Sequence, residues 1–176
     1  MEKRLFWWEA GAAVCTALVG TFLHFFYGWS GENSVVGAFA AVNESVWEHM
    51  KLLFVPAFLE FFLHSAVLGR IYPNLPAARA VGVLAGLAVI PVGFYTYTGI
   101  FGTHVLWADI VLFLSAVALV YVLEFHLLCR GRLSALWQQV MGLLLLWSLA
   151  FVFVWCTFLP PQIPLWQDSM TGRYGM

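Results

Sequence analysis

Charge is what this sequence has least of: only 10% of its 176 residues are Asp, Glu, Lys or Arg, against the quarter usual in water-soluble domains. Nine acidic and eight basic residues leave a net charge of -1, and no basic run is present to collect nucleic acid phosphates. Nucleic acid binding is therefore excluded as a reading. Cysteine is scarce too. Cys15, Cys129 and Cys156 fall in separate apolar stretches without CxxC spacing, which argues against a disulfide framework and a thiolate zinc site. Neither HExxH nor GxSxG occurs, so two common hydrolytic signatures are missing. What is abundant is hydrocarbon: 62% of residues are hydrophobic and the mean hydropathy is +0.87. A core of this size cannot hide so much apolar surface, so the chain needs lipid as solvent.

A helix crossing ~30 Å of hydrocarbon needs about 20 apolar residues. Five stretches qualify, at about 6–28, 46–69, 78–101, 105–128 and 135–158. The fold expected is all-α, a single polytopic bundle of five transmembrane helices with an outer tail at 159–176. The first stretch is too long for a signal-peptide core and reads as a retained span. Val35 to Val42 is too short to cross and suggests an interfacial or re-entrant helix. With the N-terminus cytoplasmic, Lys3, Arg4, Arg70, Arg79, Arg130 and Arg132 fall inside and only Lys51 and Arg173 outside, as the positive-inside rule expects. Tryptophans agree: Trp7, Trp8 and Trp137 land at the inner interface, and Trp29, Trp47, Trp107, Trp155 and Trp166 at the outer. Small residues at helical spacing, Ala10, Ala13, Ala17 and Gly20 on the first span and Gly82 with Gly86 on the third, point to close helix packing.

Ionisable groups inside such spans are functional candidates, with mutual pairing as the plain alternative. Span 2 holds most of them. Ser45-x-x-Glu48 matches a capping box at its start. On a helix, Glu48 and Lys51 share one face with Glu44, while His49, Glu60 and His64 lie on roughly the opposite one. Glu60 and His64, one turn apart, could share a proton, ligate a metal or simply hydrogen-bond. Near the outer level His24 ends span 1, Tyr95 and Tyr97 end span 3, and His104 and Asp109 open span 4. Glu44, Glu48, Tyr95, Asp109, Glu60 and His64 are thus candidate ligand-binding residues. His24, His49 and His104 are candidate ligands for a divalent metal such as zinc. Pro56 and Pro91, inside spans 2 and 3, free backbone carbonyls and would widen the outer half.

The segment Asn43-Glu44-Ser45-Val46-Trp47-Glu48-His49-Met50-Lys51-Leu52, preceded by His24, resembles the signature of a family of small bacterial polytopic membrane proteins of unknown function. The resemblance extends to Gly172 and Tyr174-Gly175 in the tail. It implies a bacterial cytoplasmic membrane and assigns no catalytic role.

Three functions are compatible with these residues. An acidic, histidine-containing vestibule open to the extracytoplasmic side would bind a small solute or cation, with transport as an extension of that activity. Alternatively, His24, Glu48, His49, His104 and Asp109 could hold a metal, with Glu44 as general base of a hydrolase. Adjacent Glu48 and His49 diverge by about 100° and could not both grip it easily. Third, the small-residue faces could dock the chain into a homo-oligomer or against other membrane subunits. Ala13-x-x-x-Ala17 looks like the substrate-capturing subunits of energy-coupling vitamin transporters in this respect.

Overall fold

Each apolar stretch becomes one helix. The computed structural model describes residues 2–176 and is 75% helical, with no strand among them. The elements are α1 (Glu2–Trp29), α2 (Ser34–Gly37), α3 (Val46–Leu68), α4 (Leu75–Phe101), α5 (Leu106–Cys129), α6 (Leu136–Phe158) and a 3-10 turn at Pro164–Trp166. All but α2 and the 3-10 turn are long and apolar enough to cross a membrane. Five helices cover the stretches expected from sequence, with small shifts at their ends. α1 starts earlier than expected, because the polar residues Glu2 to Arg4 continue its helix. α4 starts at Leu75 because Pro76, in the first turn, lacks only an N–H that would have no partner there anyway. The apolar run at 35–42 forms one helical turn, capped by the Asn33 side chain on Val35 N (2.9 Å), and then a bend.

The packing follows from burial. About half of the apolar window of α3 and α4 is buried (56% and 50%), against 17%, 22% and 28% for α1, α5 and α6. α1 packs on α3 and α5, and α5 on α4, so α1, α3, α4 and α5 close a four-helix ring. α6 covers the α3–α4 seam from outside. Consecutive long helices alternate in direction. One end of the bundle, here the tail face, therefore carries the ends of α1, α4 and α6, the starts of α3 and α5, and residues 159–176. The other end is the N-terminal face. Residues such as Leu18, Phe22, Val92 and Phe151 stay more than half exposed, an apolar belt suited to lipid and costly in water.

Glycines bring helices together where the sequence placed them. A Cβ on Gly20 would lie 2.5 Å from the Leu52 carbonyl oxygen, the group left without its helical donor by Pro56. One on Gly82 would lie 2.6 Å from the Val120 carbonyl oxygen. A packing role for Gly20 and Gly82 needs no further partner.

Candidate functional site

At the start of α3, Ser45 is the N-cap and its hydroxyl accepts from Glu48 N at 3.3 Å. The reciprocal half of the expected capping box does not form. Asn43 takes the Ser45 N–H (3.0 Å), and the Glu48 carboxylate turns instead to Lys51 Nζ at 2.6 Å and to Val42 N at 3.2 Å. Lys51 completes its shell with the Gly37 carbonyl (2.9 Å) and the Thr157 hydroxyl (2.8 Å). Both side chains are enclosed, because an ionic pair with every donor occupied is the form in which charge survives burial. Glu48 and Lys51 therefore tie α3 to α6 and to the connection between α1 and α3.

Glu44, two residues before the helix, escapes the helical face assumed for it. It lies between two imidazoles: His24 Nε2 is 3.5 Å from Oε1 and His49 Nε2 is 3.6 Å from Oε2. One ligand atom from each of the three residues falls within 4.8 Å of the others. His49 Nδ1 is 2.9 Å from the Ser45 carbonyl oxygen, which can only accept. A proton on Nδ1 therefore serves that carbonyl, and Nε2 is the ring nitrogen turned toward the group. These residues open on a pocket of ≈ 370 Å³ that His104 and Asp109, 3.7 Å apart, also line, together with Ile90, Phe94 and Phe113. The Tyr97 hydroxyl donates to Asp109 and fixes that carboxylate. Tyr95 lines a neighbouring hollow with Glu44, Asp168 and Ser169, not this pocket.

The tail forms the rim. Asn43 Nδ2 donates to the Gly175 carbonyl (2.9 Å), Ser169 Oγ to the Glu44 carbonyl (3.2 Å), and Trp166 stacks on Trp47 with centroids 4.6 Å apart. Asp168 closes the tail loop. Burial pushes its carboxyl up, but the N–H groups of Met170 and Thr171 and the Thr171 hydroxyl outweigh that and hold it below the usual carboxylate range.

A second polar cluster lies inside the ring toward the N-terminal face. Arg79, counted from sequence among the cytoplasmic charges, is fully buried one turn into α4. Its Nε is 2.5 Å from Glu124 Oε2 and its Nη2 donates to Oε1 at 3.1 Å. Nη2 also donates to His64 Nδ1 (2.6 Å), and Nη1 to the Ala57 carbonyl (3.0 Å). The guanidinium carbon stands 4.9 Å from the centre of the Tyr121 ring. Glu60 and His64 share a helix face but not each other: Glu60 accepts from Tyr121 and from Thr16 (3.2 Å). Both residues line a cavity of ≈ 520 Å³ between α1 and α3, separate from the tail-face pocket.

Of the candidates, the structure thus gathers His24, Glu44, His49, His104 and Asp109, and sends Glu48, Glu60, His64 and Tyr95 elsewhere. Sequence reasoning missed Arg79, Tyr121 and Thr16. The available signal was an arginine inside an apolar helix following Pro76, with no acidic residue on its own helix.

A family model described as a family of unknown function (DUF6512) matches residues 2–176. No curated protein and no solved structure matches the chain.

Proposed function

The chain belongs to the DUF6512 family, and from that premise we propose that it binds a divalent transition-metal cation, Zn²⁺ in the first instance, through His24, Glu44 and His49. The observation that carries this is the convergence of three ligand atoms within 4.8 Å, with His49 Nδ1 held by the Ser45 carbonyl. Imidazole and carboxylate suit zinc, and a backbone partner on the far ring nitrogen is the usual support of a histidine ligand. Three protein ligands facing a pocket leave a fourth position for water or a small solute. His104 and Asp109 stand where they would hold that solute's polar end. Full-length protein in detergent, stripped with chelator and titrated with Zn²⁺ or Co²⁺, is expected to take up one ion. Glu44→Gln, His24→Ala and His49→Ala should each weaken that uptake, whereas Glu48→Gln should leave the stoichiometry intact. Equal uptake by wild type and the His24→Ala, His49→Ala double variant rejects the reading.

Hydrolysis is the second reading, favoured by Asp109 lining the same pocket as the proposed metal ligands, where it would act as general base on a bound water. It shares the metal site and differs in requiring Asp109 for turnover but not for affinity.

We also propose that the tail face is extracytoplasmic in a bacterial cell membrane. Arg79 and Lys51 are buried and drop out of the charge comparison. The exposed cations left are Lys3, Arg4, Arg70, Arg130 and Arg132 at the N-terminal face against Arg173 at the tail face. In a cysteine-free background, Thr103→Cys is expected to react with an impermeant maleimide in intact cells, and Ser134→Cys only after permeabilisation. The opposite pattern inverts the topology.

A further inference from the structure

Glu9, on α1, is 3% exposed, and neither carboxyl oxygen has a hydrogen-bond partner. Its surroundings are polar all the same. A ligand atom of Glu9 lies within 4.8 Å of ligand atoms of His64 and Glu124. The charged and titratable groups that bear on it are Glu124 and Cys129 from α5, Arg79 from α4, Glu60 and His64 from α3, and Tyr72 from the connection between α3 and α4.

Glu9, His64 and Glu124 are spaced to hold a cation, but Arg79 already occupies that place. Its guanidinium spans both Glu124 oxygens and takes the Nδ1 lone pair of His64. Because a guanidinium can only donate, His64 Nδ1 is the accepting nitrogen and Nε2 the one left to carry a ring proton. The carboxylates can then be balanced one at a time. Glu124 is neutralised by Arg79. Glu60 accepts hydroxyl hydrogens from Tyr121 and Thr16 on Oε2, while its Oε1 has no partner among the described residues. No donor among the described residues makes a hydrogen bond to either oxygen of Glu9. An ionised carboxylate here would face two other carboxylates without a donor, and burial of an unpaired charge is far more costly than binding a proton.

We propose that Glu9 is a proton-binding site: its carboxyl is held as the neutral acid at neutral pH. His64, beside it, lines the cavity between α1 and α3 together with Glu60 and Arg4, among apolar neighbours such as Trp7, Trp8 and Leu63. The site is distinct from the metal group proposed at the tail face and does not depend on it.

Infrared spectroscopy of the full chain in lipid nanodiscs reads this directly. At neutral pH the wild type is expected to show the carbonyl stretch of a buried carboxylic acid. Glu9→Gln removes that band, Glu9→Asp shifts it, and Glu60→Gln keeps it. Glu9→Asp retains an acid and assigns the band even if Glu9→Gln does not fold. Absence of the band from wild type, or its persistence unchanged in both Glu9 variants, overturns the proposal.

Discussion

Replacing Arg79 with Met is expected to destabilise the protein by about 3–5 kcal/mol, the range for stripping one partner from a buried ion pair. The loss follows from what stays behind. Glu124 has no exposed surface, both its oxygens face the guanidinium, and His64 Nδ1 and the Ala57 carbonyl lose their donor together. The unfolding midpoint in detergent should fall on the order of 10 °C. Arg79→Met combined with Glu124→Leu should regain most of it, because two apolar side chains leave no charge to compensate. A midpoint unchanged in Arg79→Met would mean that the pair is not enclosed as described. High salt should leave the wild-type midpoint nearly untouched, since buried pairs are screened far less than exposed ones.

Lys51→Met should cost a similar ~3–5 kcal/mol by the same physics at the opposite end of the bundle. Glu48 would remain at 2% exposure with only the Val42 N–H. The Gly37 carbonyl and the Thr157 hydroxyl would lose a charged donor. The damage should be local as well as global. α2 is one turn long and depends on Lys51 through Gly37, so protease cleavage between residues 33 and 42 should accelerate before the bundle unfolds. Glu48→Gln with Lys51→Met should recover stability, and Glu44→Gln, at a half-exposed carboxylate, should cost little. If Lys51→Met and Glu44→Gln have equal effects, the enclosure of Lys51 is wrong.

These two pairs also show where a sequence stops informing its reader. Spans were legible because lipid imposes one requirement on every helix, a length of hydrocarbon, and that is written in consecutive residues. Faces were legible by the same token: Glu48 and Lys51 on one side of α3, His49, Glu60 and His64 on another. Partners were not. Glu60 and His64 differ by one turn, yet one turns to Tyr121 and the other to Arg79, a choice set by side chains about 61 and 15 residues away in sequence. Glu44 moved from one face to the other because the helix begins after it, at a cap whose second half went to Asn43. Of the tail-face group, the histidines and acids were visible as residue types at one depth. Their grouping around Glu44 required the angle at which α1 and α5 meet the start of α3.

The two ion pairs differ in how they enter lipid during synthesis. Glu48 and Lys51 stand three residues apart on one helix, so α3 leaves the ribosome carrying its own counterion. Arg79 precedes Glu124 by 45 residues, and the chain between them is nearly all of α4 and α5 with a tight turn at Gly102. A charged helix waiting alone in hydrocarbon is unfavourable, so translation must deliver both before either is neutral. The hairpin of α4 and α5, rather than the single helix, is the smallest part of this half of the protein that holds Arg79 together with its counterion.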